Sequence, residues 1–279
     1  MNAVVVGHAS LDRALVVNRC PGPGMTAVVR ACPTGTQRRA GGVVQTSFAL
    51  ADRGHTVFPV TCVGSDELGE RYRAELGEVG CRLDGVVVVG ERSPVSDLLY
   101  ADDGTTACLF DPGTSTTWSL TGPQAELIEE ADVLVLMIAP AVVIKEALDL
   151  VRPDAVAGWV LKDDPVSLAG DLPQRLGGRA DVVVLNQQER YLLTGIRRKD
   201  TALIAETRGP DPIRYGRGEP TEELEVPAID TPTDPTGSGD AFAGGLIAAL
   251  AGGAGDLEAV QAGLDRAVHM LETRRRREG

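Results

Sequence analysis

The chain has 279 residues, 43% of them hydrophobic, which suffices for one large α/β domain or a main domain with a small appendage and makes disorder a poor default. A formal net charge of -13 and a pI near 4.7 argue against nucleic acid or an anionic membrane surface as the main partner, because both reward clustered Lys and Arg. Five cysteines, an odd number without a C-x-x-C pair, and three scattered histidines give neither a disulfide framework nor a zinc site nor a His-based triad.

The N-terminus runs straight into the apolar Val4–Val6 with no basic leader, and no stretch reaches membrane-spanning length, so a reducing cytoplasm is the expected compartment. β-Branched runs predict strands at residues 3–7, 56–63, 85–89, 132–138, 156–162 and 181–185. Helical periodicity between them predicts helices at 42–53, 67–80, 123–130 and 141–151. This alternation implies a mostly parallel sheet with helices on its faces. Two segments break it, 12–39 and 93–118. In the second, short strands at 95–101 and 105–110 flank Asp102-Asp103-Gly104, a hairpin signal. The two segments predict a small β appendage inserted in a single domain spanning 1–279, with long surface loops as the alternative. The one basic run, Arg274–Arg277, stands where cations complement the last turn of a helix, and no function is read into it.

Near the C-terminal end lies Asp234-Pro-Thr-Gly-Ser-Gly-Asp240, followed by the small-residue run Ala-Phe-Ala-Gly-Gly-Leu-Ile-Ala-Ala-Leu. Gly237 and Gly239 can take backbone angles closed to other residues, so N–H groups of Gly237, Ser238 and Gly239 can converge on an anion. The turn opens into a helix whose dipole adds to those amides. Asp240 then stands where a base must stand to reach a hydroxyl attacking a phosphate. The plainer alternatives are that Asp240 caps the helix and that Ala241, Ala243, Gly244 and Gly245 serve only close packing. Neither a G-x-x-x-x-G-K-[ST] loop nor a G-x-G-x-x-G after the first strand is present, so P-loop and Rossmann readings fail.

The segment Asp234–Gly245 resembles the C-terminal signature of the ribokinase-like (phosphofructokinase B type) carbohydrate kinases, D-[TP]-[TV]-G-[AS]-G-D-x-F-x-G-G. Further matches run in order. Gly7–Asp12 resembles the first strand with its sugar-holding Asp; Gly41-Gly42 with the helix to Arg53-Gly54, then 60–64 and Asp66-x-x-Gly69, resembles the N-terminal signature; Asn186-Gln-Gln-Glu189 matches N-x-x-E; and Glu206-Thr207-Arg208-Gly209 takes the place of the strand and loop beside the nucleotide. The resemblance covers nearly the whole chain and implies a three-layer ribokinase-like α/β fold with a β lid formed by 12–39 and 93–118. It implies ATP and Mg2+ as cofactors, Asp240 as catalytic base and Gly237, Ser238 and Gly239 as the anion hole. It places Asp12, Gly41, Gly42 and Thr46 at the acceptor, Asn186 and Glu189 at magnesium and phosphate, and Thr207 and Gly209 at the nucleotide. It also places a monovalent cation such as K+ at Asp234 and Thr236, and a homodimer formed through the lid. By itself, N-x-x-E after a strand is also an ordinary helix start with an Asn cap.

Three departures are visible. Thr46 stands where many sugar kinases of the family carry Asn, which bears on the acceptor more than on the chemistry. Lys162, in Leu161-Lys-Asp-Asp-Pro165, is unusual at a strand end that often reads D-x-N; it is either solvated or meets an anionic substrate group. The stretch after Asp240 is shorter than the family usually has, implying a reduced adenine-side wall. The expected function is transfer of the ATP γ-phosphoryl group to a hydroxyl of a sugar or sugar-like molecule. The alternatives are a nucleoside kinase of the same fold and a catalytically silent regulator that binds nucleotide or sugar.

Overall fold

Alternation along single strands sets the layering. In β1 (Asn2–Val6) Ala3 and Val5 pack into one core while Val4 and Val6 pack into another, all four fully buried, so the strand is covered on both faces. The computed structural model describes residues 1–33, 35, 37–164, 167–230 and 234–278, with the side chains of 277 and 278 excepted. The expected lid segment 12–39 therefore has Thr34 and Thr36 outside the described residues, as are Pro165 and the side chain of Arg277.

After β1 the chain forms β2 (Ala9–Val17), β3 (Val29–Ala31), β4 (Arg39–Gly42), α1 (Val44–Asp52), β5 (Thr56–Val63), α2 (Glu67–Glu78), β6 (Val86–Val88), β7 (Val95–Ala101) and β8 (Thr106–Asp111). It continues with α3 (Gly122–Glu129), β9 (Val133–Leu136), α4 (Ala141–Leu150), β10 (Val156–Val160), α5 (Leu172–Arg179), β11 (Val182–Asn186), β12 (Leu203–Arg208), β13 (Asp211–Arg217), β14 (Glu222–Leu224), α6 (Ser238–Ala251) and α7 (Asp256–Glu278).

Among the described residues the main sheet has nine strands in the order β14-β13-β12-β11-β10-β9-β1-β5-β6, all running one way except β13, which is antiparallel to both β12 and β14. Val44 and Leu50 of α1, Tyr72 and Leu76 of α2, Phe242 and Leu246 of α6 and Val260 and Leu264 of α7 cover one face. Ile128 of α3, Val143 and Ala147 of α4 and Leu172 and Leu176 of α5 cover the other. The result is the expected three-layer α/β architecture.

A second, five-stranded sheet draws its strands from the two segments that break the alternation: order β3-β2-β7-β8, with β4 also paired to β2. Its hairpin β7–β8 turns at Asp102-Asp103-Gly104, where Gly104 has φ +81, closed to most side chains. Strand β2 begins at Ala9, three residues before the expected boundary, because Ala9 to Asp12 pair with Gly42 to Arg39.

Two close helix crossings fix the far side of the site. A Cβ on Gly244 of α6 would lie 2.6 Å from the Thr46 carbonyl oxygen of α1, and one on Gly245 would lie 2.8 Å from that of Ala262 in α7. The small residues of α6 thus serve packing, and through it they set where the N-terminus of α6 comes to lie. Among the described residues no helix is long and apolar enough to cross a membrane.

Candidate active site

The C-terminal ends of β1, β10, β11 and β12 and the N-terminus of α6 gather the expected residues at one edge of the sheet, where open parallel sheets bind ligands. The turn leading into α6 is built by Asp234, which is 4% exposed. Its Oδ1 accepts from the Thr236 backbone N–H at 3.1 Å and from Thr236 Oγ1 at 2.5 Å. Gly237, the N-cap, has φ +82, and a Cβ there would come 2.8 Å from Gln45 Cγ, so conformation and space both require glycine. The Ser238 N–H donates to the Pro235 carbonyl at 3.2 Å and is spent on the turn itself. The other first-turn N–H groups, those of Gly239 and Asp240, have no carbonyl four residues back in the helix and so are available as donors to an anion.

Asp240 lies in that first turn. Its Oδ1 is buried and has no hydrogen-bond partner among the described residues. Lys162 Nζ stands 3.6 Å from it, within ion-pair range but beyond a hydrogen bond. Asp240 is the largest influence raising the Lys162 pKa above its ordinary value, so the ammonium keeps its charge. Lys162 thus faces Asp240 while its side chain stays 34% exposed.

Across from Asp240, β2 presents Asp12. Ser10 Oγ donates to Asp12 Oδ1 at 2.5 Å and shares a hydrogen bond with Ser96 Oγ at 2.7 Å. Burial pushes the Asp12 pKa up to about 6; the Ser10 hydrogen bond pulls it down, and the charges of Asp240 and Asp234 push it up. Gly41 is packed against this carboxylate: a Cβ would lie 2.0 Å from Asp12 Oδ2. Gly42 has φ +58, and a Cβ there would lie 2.1 Å from the His8 carbonyl oxygen. Thr46 is placed differently from what the resemblance implies. It is 0% exposed, and its Oγ1 donates to the Asp240 carbonyl oxygen at 3.0 Å, so it ties α1 to the start of α6.

On the other side, Asn186 ends β11. Its Oδ1 accepts from the N–H groups of Gln188 at 2.8 Å and Glu189 at 3.0 Å, while Glu189 Oε2 accepts from the Asn186 N–H at 2.8 Å. That is a capping box on the 3-10 turn Gln187–Leu193. Glu189 is 7% exposed, and burial pushes its pKa up while Lys162 pulls it down. Thr207 pairs with Asn186 across the sheet and donates from Oγ1 to the Leu185 carbonyl at 3.3 Å. Gly209, at φ +65 in the turn after β12, has open space around it. Buried Glu206 is held by Arg190 at 2.5 Å. Among the described residues no three His, Cys, Asp or Glu side chains gather as a metal cage.

Three residues that sequence reasoning did not assign converge on the start of the turn. The Tyr100 hydroxyl of β7 meets Thr236 Oγ1 and lies 3.4 Å from Asp234 Oδ1, and burial pushes its pKa to about 12. Arg39 of β4 lies 3.4 Å from Asp234 Oδ2. Arg274 of α7 donates from Nη1 to the Asp234 carbonyl at 3.1 Å and to the Thr236 carbonyl, so it does not complement its own helix end. The clue to Arg274 is spacing: Arg266 and Met270, four residues apart and buried, precede it on one face of α7.

Comparison with known proteins places this arrangement. The pattern of the pfkB family carbohydrate kinases matches residues 1–274. An ATP-dependent ribose-1-phosphate kinase of Halopiger xanaduensis is 30% identical over 262 residues, covering 87% of this chain and 82% of that protein. A cytidine kinase of Thermococcus kodakarensis is 29% identical over 292 residues, covering 98% and 96%. The fold matches that of a ribokinase from Cryptococcus neoformans var. grubii, solved in complex with ADP, with a TM-score of 0.81 at 19% identity over 97% of this chain and 94% of that one. It follows that the chain belongs to the pfkB family of carbohydrate kinases and is an ATP-dependent phosphotransferase with an alcohol group of a sugar or nucleoside as acceptor.

Proposed function

We propose that a sugar or nucleoside hydroxyl is held between Asp12 and Asp240 and receives the γ-phosphoryl group of ATP while Asp240 takes its proton. The observation that carries this reading is the buried Oδ1 of Asp240 in the first turn of α6, ion-paired with Lys162 at 3.6 Å but without a hydrogen-bond partner among the described residues, beside the N–H group of Gly239. As the acceptor oxygen bonds to phosphorus, its proton passes to that carboxylate, the bond between the γ-phosphorus and the bridging oxygen breaks, and ADP leaves with the electron pair. The amides of Gly237 and Gly239, with the helix dipole, stabilise charge on the transferring group, and Ser238 shapes the turn. Lys162 adds a fixed positive charge at the same point. Asp12, backed by Gly41 and Gly42, orients the acceptor, and Thr46 positions Asp240 from behind.

Thr207 and Gly209 flank the nucleotide. Among the described residues no three-carboxylate cage gathers, which suits Mg2+ held mainly by phosphates and water; Asn186 and Glu189 would be its supporting residues, and the ion would neutralise phosphate charge there. The chain acts as one domain in which the small sheet serves as a lid over the acceptor. Exposed Val29, Leu109 and Phe110 on that sheet support pairing of two lids, and five free cysteines suit a cytoplasmic compartment. The relatives' acceptors, ribose 1-phosphate and cytidine by their names, bound the acceptor class.

Replacing Asp240 by Asn tests the assignment. The expected result is a loss of about 100-fold or more in kcat with ATP affinity nearly unchanged. A variant with full turnover would overturn it, and a wild-type protein that binds ATP but turns over no acceptor would favour the silent regulator.

A further inference from the structure

The resemblance implies a monovalent cation held by Asp234 and Thr236, and the groups present do not fit one. The carbonyl oxygens of both residues accept hydrogen bonds from Arg274 Nη1, at 3.1 Å for Asp234, and the same nitrogen stands 3.9 Å from Asp234 Oδ1. Asp234 Oδ1 is further occupied by the Thr236 N–H and hydroxyl, Oδ2 faces Arg39 at 3.4 Å, and Thr236 Oγ1 meets the Tyr100 hydroxyl. A metal cation on these oxygens would sit against a guanidinium that already uses them, with strong like-charge repulsion in a site where Arg274 is only 15% exposed.

We propose that Arg274 is a built-in replacement for that cation, a positioning residue whose guanidinium holds the carbonyls of Asp234 and Thr236 so that phosphoryl transfer needs no added K+ or Na+. The proposal rests on the kinase reading above. Its physical basis is the planarity of the peptide unit. The Thr236 carbonyl and the Gly237 N–H share one plane and point opposite ways, so fixing the carbonyl toward α7 turns the Gly237 N–H away from it, to the side where a phosphate is stabilised. The Asp234 carbonyl precedes Pro235, which has no N–H, and holding it fixes the entry to the turn. A guanidinium suits this task because it keeps its charge when buried and offers several donors in one plane.

The fold delivers this one arginine of the basic run. Helix α7 crosses α6 closely at Gly263, where a Cβ would lie 2.7 Å from the Phe242 carbonyl oxygen, and at Gly245, where one would lie 2.8 Å from that of Ala262. From there the buried face of α7 runs through Arg266 and Met270 to Arg274, while neighbouring Arg275 is exposed.

The test compares wild type, Arg274→Ala and Arg275→Ala in choline chloride and in potassium chloride, reading ADP release with Mg-ATP and acceptor, calorimetric ADP affinity, and melting temperature. Wild type and Arg275→Ala should change less than about twofold between the two salts. Arg274→Ala should lose up to about 100-fold in kcat in choline, as displaced transfer groups do, and should recover in part with K+ or free guanidinium. Stimulation of the wild type about tenfold or more by K+, or full activity of Arg274→Ala in choline, overturns the proposal. If no acceptor turns over, the kinase reading fails by itself and ADP affinity decides: K+ tightening ADP binding only in Arg274→Ala supports the replacement, and K+ tightening it in wild type refutes it. Should Arg274→Ala not fold, the wild-type salt comparison still decides, and Arg274→Lys, with fewer donors, should show intermediate kcat and partial K+ response.

Discussion

On β2, Asp12 has no ion pair among the described residues and meets only the hydroxyls of Ser10 and Ser96, whereas Asp234, at the start of the turn into α6, is flanked by Arg39, Arg274, Tyr100 and Thr236. Both are acids in one cleft. Asp234 has every partner a buried carboxylate needs and so acts as framework. Asp12 is short of donors, its pKa is raised to about 6, and its remaining capacity suits neutral hydroxyls brought by a ligand. In the proposed reading, the carboxylate that the fold leaves under-satisfied faces the acceptor, and the one that the fold neutralises shapes the anion turn.

The contrast predicts opposite behaviour on mutation. Asp234→Ala should cost on the order of 3 kcal/mol, because it removes the acceptor of the Thr236 N–H and hydroxyl and the anion facing Arg39 and Arg274, and should lower the melting temperature by several degrees; an unchanged melt would count against a framework role. Asp12→Asn should do the reverse. Its folded pKa near 6 lies above the ordinary value of 3.8, so ionisation is disfavoured in the folded state: the cost is absent below pH 4, grows as pH rises between the two values and is complete above pH 6. The Asn variant should therefore melt higher than wild type above pH 6, by about 1–3 kcal/mol, converge with it near pH 4, and lose about 10- to 100-fold in acceptor kcat/KM. Melts across pH 4–8 beside kinetics in both substrates check the pair of effects; equal stability at all pH values would remove the argument from Asp12.

Gly41→Ala acts indirectly. Its Cβ would fall 2.0 Å from Asp12 Oδ2 and push the carboxylate aside, so acceptor KM should rise about tenfold with ATP KM unchanged. A rise in ATP KM instead would move Asp12 out of the acceptor site.

Sequence pattern made the core of the sheet legible, since strands such as Thr56–Val63 are short apolar runs rich in β-branched residues, buried along most of their length, as a strand covered on both faces requires. The hairpin at Asp102-Asp103-Gly104 and the turn before α6 were readable for the same reason, because glycine at positive φ leaves a local mark. Strand β13, Asp-Pro-Ile-Arg-Tyr-Gly-Arg, was not, as it carries Pro, Gly and charges; Pro212 falls at the register shift opposite Glu206–Arg208 and outside the Ile213–Tyr215 stretch paired with β14, where a missing N–H is tolerated; nor was α5, whose Gly177 and Gly178 lower its helix propensity. At the site, residue identities near the glycine turn were readable, but partners far apart in sequence were not. That Lys162 faces Asp240, that Thr46 turns its hydroxyl inward and that Arg274 reaches Thr236 depend on how α1, α6 and α7 cross. Only the helical phase of α7, with Arg266, Met270 and Arg274 four residues apart, hinted at the last.

The most direct measurement is ADP release from Mg-ATP by the wild-type protein against pentoses, hexoses, phosphosugars and nucleosides. One acceptor class stimulating release well above the basal ATPase rate, with phosphate recovered on its hydroxyl, is the predicted result. ATP binding without stimulation by any member of the panel would contradict transfer to a sugar or nucleoside hydroxyl.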